Sequence, residues 1–185
     1  MSHTQTAPLN LSLSLLRDGA VALVASCLIA LASQIYVTFP FTAVPFTLQP
    51  QAVLLLSALL GPKRALLAVA CYLTEGAMGA PVFAGGKSGA IWFFSHTGGY
   101  LLSYLPVSLL TGYLFSSPSS SFLKTYGKFL LSNSLILALG TLFLSLFVGP
   151  KLAWQMGFWP FLATDALKAL FLTALYMRMP KKLVA

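Results

Sequence analysis

GFWPFLATDALKALFLTALYM, residues Gly157–Met177, is an apolar run of membrane-spanning length that carries an acid and a base near its middle. About 20 consecutive apolar residues, at ~1.5 Å rise each, cross a hydrocarbon core ~30 Å thick. An ionised side chain at mid-membrane costs a few kcal/mol or more. Asp165 and Lys168 are three residues apart, so they share one helix face and can pair. Two readings follow. The pair is an internal ion pair that pins helices together, or it is a polar site for a small ligand on a buried face.

The rest of the chain repeats the pattern of apolar runs and keeps nearly all its charge out of them. Of 185 residues, 58% are hydrophobic and only 8% charged, against about 25% charged in soluble domains. The runs are continuous rather than alternating, which excludes a transmembrane β-barrel and leaves a helical bundle. We expect an all-α integral membrane protein, one membrane domain over residues 1–185, with six transmembrane helices in one compact bundle. A polar tail covers residues 1–16, and the spans fall at about 19–37, 50–60, 65–78, 90–115, 129–148 and 158–177. Arg17 followed by GAVALVASCLIALAS resembles a signal peptide. The long polar leader, the adjacent Asp18 and an apolar run continuing to Val37 favour an uncleaved first helix.

The net charge of +8 is spread one or two residues at a time between the runs, which argues against nucleic acid as a partner. With six spans, Arg17, Lys63, Arg64, Lys124, Lys128, Arg178, Lys181 and Lys182 fall on one side, and only Lys87 and Lys151 on the other. Cytoplasmic loops carry the excess of Lys and Arg, so both termini are expected in the cytoplasm of a multi-pass plasma (inner) membrane protein. The connections on the opposite side, FPFTAVPFTLQ (39–49) and TEGAMGAPVFAGGKSG (74–89), are long and rich in Pro, Gly and aromatics. They are expected either to fold back as lids or to serve as surface connections. If the last span enters from outside near Phe158, Asp165 lies ~10 Å and Lys168 ~15 Å below it, in the outer half of the membrane.

Other motifs are weaker. Ala22, Ser26 and Ala30 form a small-xxx-small series that allows close helix approach, either to a partner helix or within the bundle. Gly86-Lys87-Ser88 lacks the remainder of a phosphate-binding loop, so nucleotide binding is not expected. Cys27 and Cys71 lie in apolar stretches without CxxC or His neighbours and read as packing residues. There is no HExxH or GxSxG, and His96 stands alone, so the chain is not expected to be an enzyme. Glu75 at the outer end of the third span and Thr97-Gly98-Gly99-Tyr100 in the fourth are polar features of the kind transporters use. Asn133 is either one more or helix–helix glue. Trp92, Trp154 and Trp159 suit an outer interface belt.

Four ordered segments, VPFTLQ (44–49), GPKRALLAVACYLTEGAMGAPVFAGG (61–86), TGGYL (97–101) and TDALKA (164–169), resemble the BioY family, the biotin-binding S components of energy-coupling factor (ECF) transporters. The resemblance spans nearly the whole chain. It implies a six-helix fold with cytoplasmic termini and biotin as transported ligand, with no cofactor. It implies a coupling membrane subunit and two ATPase subunits as partners, besides the lipid bilayer. Asp165 and Lys168 match the family's Asp-x-x-Lys, which contacts the ligand's polar head. Thr47, Gln49, Phe83, Gly85 and Gly86 would enclose the ligand, with Thr97, Gly98 and Tyr100 beside it; Glu75 is a further candidate ligand-binding residue on its own polar character. The face made by Ala22, Ser26 and Ala30 would dock the coupling subunit. Ser95-His96 stands where the family has Gly-Pro, and Ala163-Thr164 where it has Pro-Gly. The ligand's carboxylate needs a further donor, for which Lys87, the N–H groups of Gly85 and Gly86, and His96 are candidates. A stand-alone or ion-coupled carrier of biotin or a related vitamin is the alternative function, and an intramembrane enzyme a more distant one.

Overall fold

The computed structural model describes residues 7–40, 42–117 and 121–179, with side chains from residue 14 onward. The tail residue His3, the turn residue Ser119 and the basic residues Lys181 and Lys182 lie outside the described residues. Long helices dominate: α1 (Ala7–Ser33), α2 (Gln49–Ala77), α3 (Gly98–Ser116), α4 (Phe122–Val148), the single turn α5 (Pro150–Ala153) and α6 (Trp159–Arg178). A π-helical turn, Trp154–Phe158, joins α5 to α6 into one continuous helical stretch. Among the described residues, four stretches are long and apolar enough to cross a membrane: Ser14–Ser33, Gln49–Ala77, Phe122–Val148 and Pro150–Arg178. The chain is a mostly helical, multi-pass membrane protein.

The expected spans at 50–60 and 65–78 form one helical run that breaks at Gly61, where φ is +76°. That left-handed conformation suits a residue without a Cβ, and Pro62 cannot donate to the preceding turn. The two arms run in opposite directions. Gln49 lies beside the loops at one end of the bundle, and Gly76 abuts Phe83 at that same end. The Gly61-Pro62 turn packs on Gly112, towards the other end of α3. Arg64 near that turn bonds Asp18 of α1 at 2.8 Å, while Ser26 further along α1 donates to Glu75 near the second arm's far end. The second arm is therefore parallel to α1.

Other boundaries shift in understandable ways. The first helix ends at Ser33 rather than Val37, because Tyr36–Val37 pairs with Phe46–Thr47 as a short antiparallel hairpin, β1 and β2. The fourth expected span is divided: Ala90–Phe94 is a 3₁₀ turn, and α3 starts only at Gly98, with no room for a Cβ beside the Phe93 carbonyl. α4 begins at Phe122, so Lys124 and Lys128 belong to its first turns rather than to a loop. The core runs through α2, α3, α4 and α6, with Tyr72, Phe129, Leu54 and Leu144 fully buried. Leucines on the outer faces, such as Leu31 and Leu142, remain uncovered, as expected where lipid is the solvent.

Candidate functional site

Both loops fold inward over one end of the bundle. Phe46 of β2 stacks on Phe161 of α6 with ring centroids 4.2 Å apart, and Phe39 meets Phe46 edge-on at 5.3 Å. In the second loop, Phe83 is buried between Tyr72 and Phe93, with centroids 5.7 and 5.9 Å away. Gln34 fastens this loop: its Nε2 donates to the Phe83 carbonyl (3.2 Å) and its Oε1 accepts from Gly86 N–H (3.1 Å). Val82's carbonyl accepts from Ser33 and from the Tyr72 hydroxyl. These connections are a packed roof, held by buried aromatics and by hydrogen bonds from two helices.

Beneath the roof lie two adjoining cavities, with empty volumes of about 460 and 410 Å³, that share Thr47, Tyr100 and Tyr104 in their walls. The deeper cavity contains Asp165 and Lys168 of α6, with Lys168 Nζ 3.4 Å from Asp165 Oδ1. Lys168 also points at the Thr47 carbonyl (3.5 Å) and lies 5.6 Å from the centre of the Phe46 ring. The other cavity is lined by Gln49, Phe83, Thr97 and Lys87, and Lys87 Nζ sits 4.2 Å from the centre of the Trp92 ring. A cation thus stands in each half, with a carboxylate beside only one of them.

Tyr100 joins the halves. Its hydroxyl is within 3.1 Å of the Thr141 hydroxyl and donates to the Gly157 carbonyl at 3.0 Å. Its ring occupies the space a side chain at Gly140 would need. Among the described residues, three buried side-chain polar atoms lack a hydrogen-bond partner: Gln49 Nε2, Gln51 Oε1 and Asn133 Nδ2. Gln49 and Asn133 line the two cavities, one each.

Of the residues singled out in the sequence, Asp165, Lys168, Thr47, Gln49, Phe83, Thr97 and Tyr100 line the cleft. Others do not. Glu75 is held by Ser26 on the α1 side of the second α2 arm and lines neither cavity. Gly85 lies against the Tyr36 ring, Gly86 N–H is occupied by Gln34 and the Phe83 carbonyl, and Gly98 packs on Phe93. These three shape the roof and the start of α3 rather than the cavity walls. His96 is exposed and outside both cavities. Sequence reasoning missed Gln34, Tyr104 and the cavity position of Asn133, since single polar or aromatic residues in apolar runs carry no directional signal.

The small-residue series packs inward in the isolated chain. Ala22 is 1% and Ser26 0% exposed; Ala22 packs with Ala25 and Ala68, and Ser26 bonds Glu75. Ala30 packs against the main core. In the isolated chain Ala22 and Ser26 thus lie against α2. Small residues permit close approach but do not say which helix approaches.

The BioY family model matches residues 2–185. The chain belongs to the BioY family. A Lactococcus lactis subsp. cremoris protein named biotin transporter BioY2 is 35% identical over 72% of this chain and 75% of its own length. A Thermotoga maritima biotin transporter BioY is 35% identical over 79% of this chain and 86% of its own. In fold, the structure matches the crystal structure of the S-component for biotin from an ECF-type ABC transporter, with TM-score 0.78, 22% identity, and coverage of 96% and 93% of the two chains. That likeness places this BioY chain's helical arrangement in the same fold.

Proposed function

We propose that this BioY-family protein is the substrate-binding membrane subunit of an ECF-type biotin uptake system in the plasma membrane. The observation that carries the reading is the roofed cleft, with an Asp165–Lys168 pair at one end and Lys87 at the other, in a chain of this family. Biotin carries a ureido group with two N–H donors and one carbonyl acceptor, on compact apolar rings, and a carboxylate at the far end of a flexible chain. Asp165 accepts from a ureido N–H, with Lys168 beside it as counter-charge. Tyr104, Phe161 and Val44 pack the rings. Lys87 and the unpartnered Gln49 amide take the carboxylate. Of the donors considered for it, Gly86 N–H is already used and His96 is outside the cavities, which favours Lys87.

In this reading the chain makes six crossings, with the two arms of α2 counted separately. Both termini are cytoplasmic, and the roof faces outside. Support comes from Arg17, Lys63, Arg64, Lys124, Lys128 and Arg178, which fall towards the Gly61 end of the bundle, and from the roof at the opposite end. No ATP chemistry is assigned to the chain. Energy comes from ATPase subunits through a membrane coupling protein, as the relatives' ECF assignment suggests. The test is biotin uptake into proteoliposomes holding the chain with or without such a module. ATP-dependent uptake only with the module is expected. Uptake by the chain alone, driven by an ion gradient, would instead favour a carrier.

A further inference from the structure

We infer that Asn133 is a specificity-determining residue of the cleft, the donor for the carbonyl of a cyclic urea. This inference rests on the biotin reading above. Asn133 is on α4, lines the deeper cavity together with Asp165 and Lys168, and is 3% exposed. Its Nδ2 closes no hydrogen bond of good geometry, although the Asp165 carboxylate that lines the same cavity is near enough to interact with it. A buried amide N–H without an acceptor is costly, and such groups are rare in folded proteins. Glue between helices closes a hydrogen bond of good geometry across the contact, and Asn133 Nδ2 makes none. Its neighbours in α4 show what that looks like: Ser132 is bonded by Thr111 of α3 at 2.9 Å.

The cavity's polar groups divide the recognition. Lys168 is already turned towards Asp165 and the Thr47 carbonyl. Asp165 presents acceptor oxygens and no proton when ionised. An acceptor on the ligand, flanked by N–H donors, is therefore the group that completes Asn133 while Asp165 takes the donors. A urea has that arrangement. A guanidinium does not, since its central substituent is a donor and would face the Asn133 N–H head-on.

The experiment compares biotin with 2-iminobiotin, in which a protonated imine replaces the ureido carbonyl, by calorimetric titration of the purified full chain. Desthiobiotin, which keeps the urea, is the control. The unmodified protein should bind biotin at least about 10-fold tighter than protonated 2-iminobiotin, with desthiobiotin following biotin. Asn133→Ala should weaken biotin about 10- to 100-fold and narrow the ratio between the two ligands. Asn133→Asp, which offers an acceptor, should shift preference towards 2-iminobiotin. Equal binding of the two ligands by the unmodified protein overturns the inference without any variant, so misfolding of Asn133→Ala cannot shelter it. Equal weakening of both ligands by Asn133→Ala, with a lowered melting temperature, also overturns it and makes the residue structural. Absence of biotin binding by the folded, unmodified protein defeats the biotin reading itself and the inference with it. Intact biotin binding with an unchanged ligand ratio in Asn133→Ala defeats only the inference.

Discussion

At Asp165 and Lys168 each side chain balances the other in a cavity walled by Phe161, Ile136 and Leu137. Removing one partner of a buried pair leaves an uncompensated charge, at a cost of about 3–5 kcal/mol. Asp165→Asn and Lys168→Ala should each lower biotin affinity about 100-fold or more if that cost falls on the bound state. Melting temperatures of the free variants separate lost binding from lost folding. If both variants fold and bind biotin like the parent, the pair is structural. Lys87 gives a prediction of different form. Its charge faces the ligand's carboxylate in the proposed pose, so Lys87→Gln should weaken biotin about 10-fold and leave biotin methyl ester nearly unaffected, as a charge-assisted hydrogen bond is worth ~1.5–3 kcal/mol. Equal losses for both ligands, measured by competition, would remove Lys87 from the carboxylate site.

Among the elements, the kink in α2 and the approach of α3 to α4 set the cleft. Gly61 holds φ +76° and ψ 173°, a region essentially confined to glycine, which costs an L-residue about 1–3 kcal/mol. Gly61→Ala should lower the melting temperature without changing the ratio of biotin to desthiobiotin affinity, because the turn lies at the far end of the bundle. Gly140 has the opposite profile. A larger side chain there meets the Tyr100 ring, which lines both cavities. Gly140→Leu should displace that ring and reduce biotin binding more than about 10-fold, since overpacking costs ~1–3 kcal/mol; retained affinity with an unshifted melting curve would show that the ring has room to move. The helices themselves were readable from run length, because lipid demands continuous apolar segments. The Asp165–Lys168 pairing was readable from their spacing on one face. Other features were not. The gap between the spans ending at 60 and starting at 65 is a break at Gly61 alone, with helical geometry resuming at once on both sides. The hairpin at Tyr36–Val37 and Phe46–Thr47 is too short for an alternation signal. The stripe Ala22-Ser26-Ala30 indicates close packing but not its partner, and the partner is α2. Asn133 and Tyr104 reach the cleft through tertiary placement that no local pattern records.

For the whole molecule, the charge asymmetry and the roof define two ends. Cysteines introduced singly into a Cys-free background at Lys87 and at Lys63 should react oppositely with a membrane-impermeant reagent in intact cells. Lys87 should label from outside and Lys63 only after permeabilisation. Labelling of Lys63 from outside would invert the orientation and place the roof in the cytoplasm. The account as a whole rests on one claim, that the roofed cleft of this BioY-family chain binds biotin. Titration of the purified, detergent-solubilised protein with biotin, alongside thiamine and riboflavin, tests it most directly. The account predicts saturable one-site binding of biotin alone, lost in Asp165→Asn; a folded protein that binds none of the three, or binds another vitamin in preference to biotin, would contradict it.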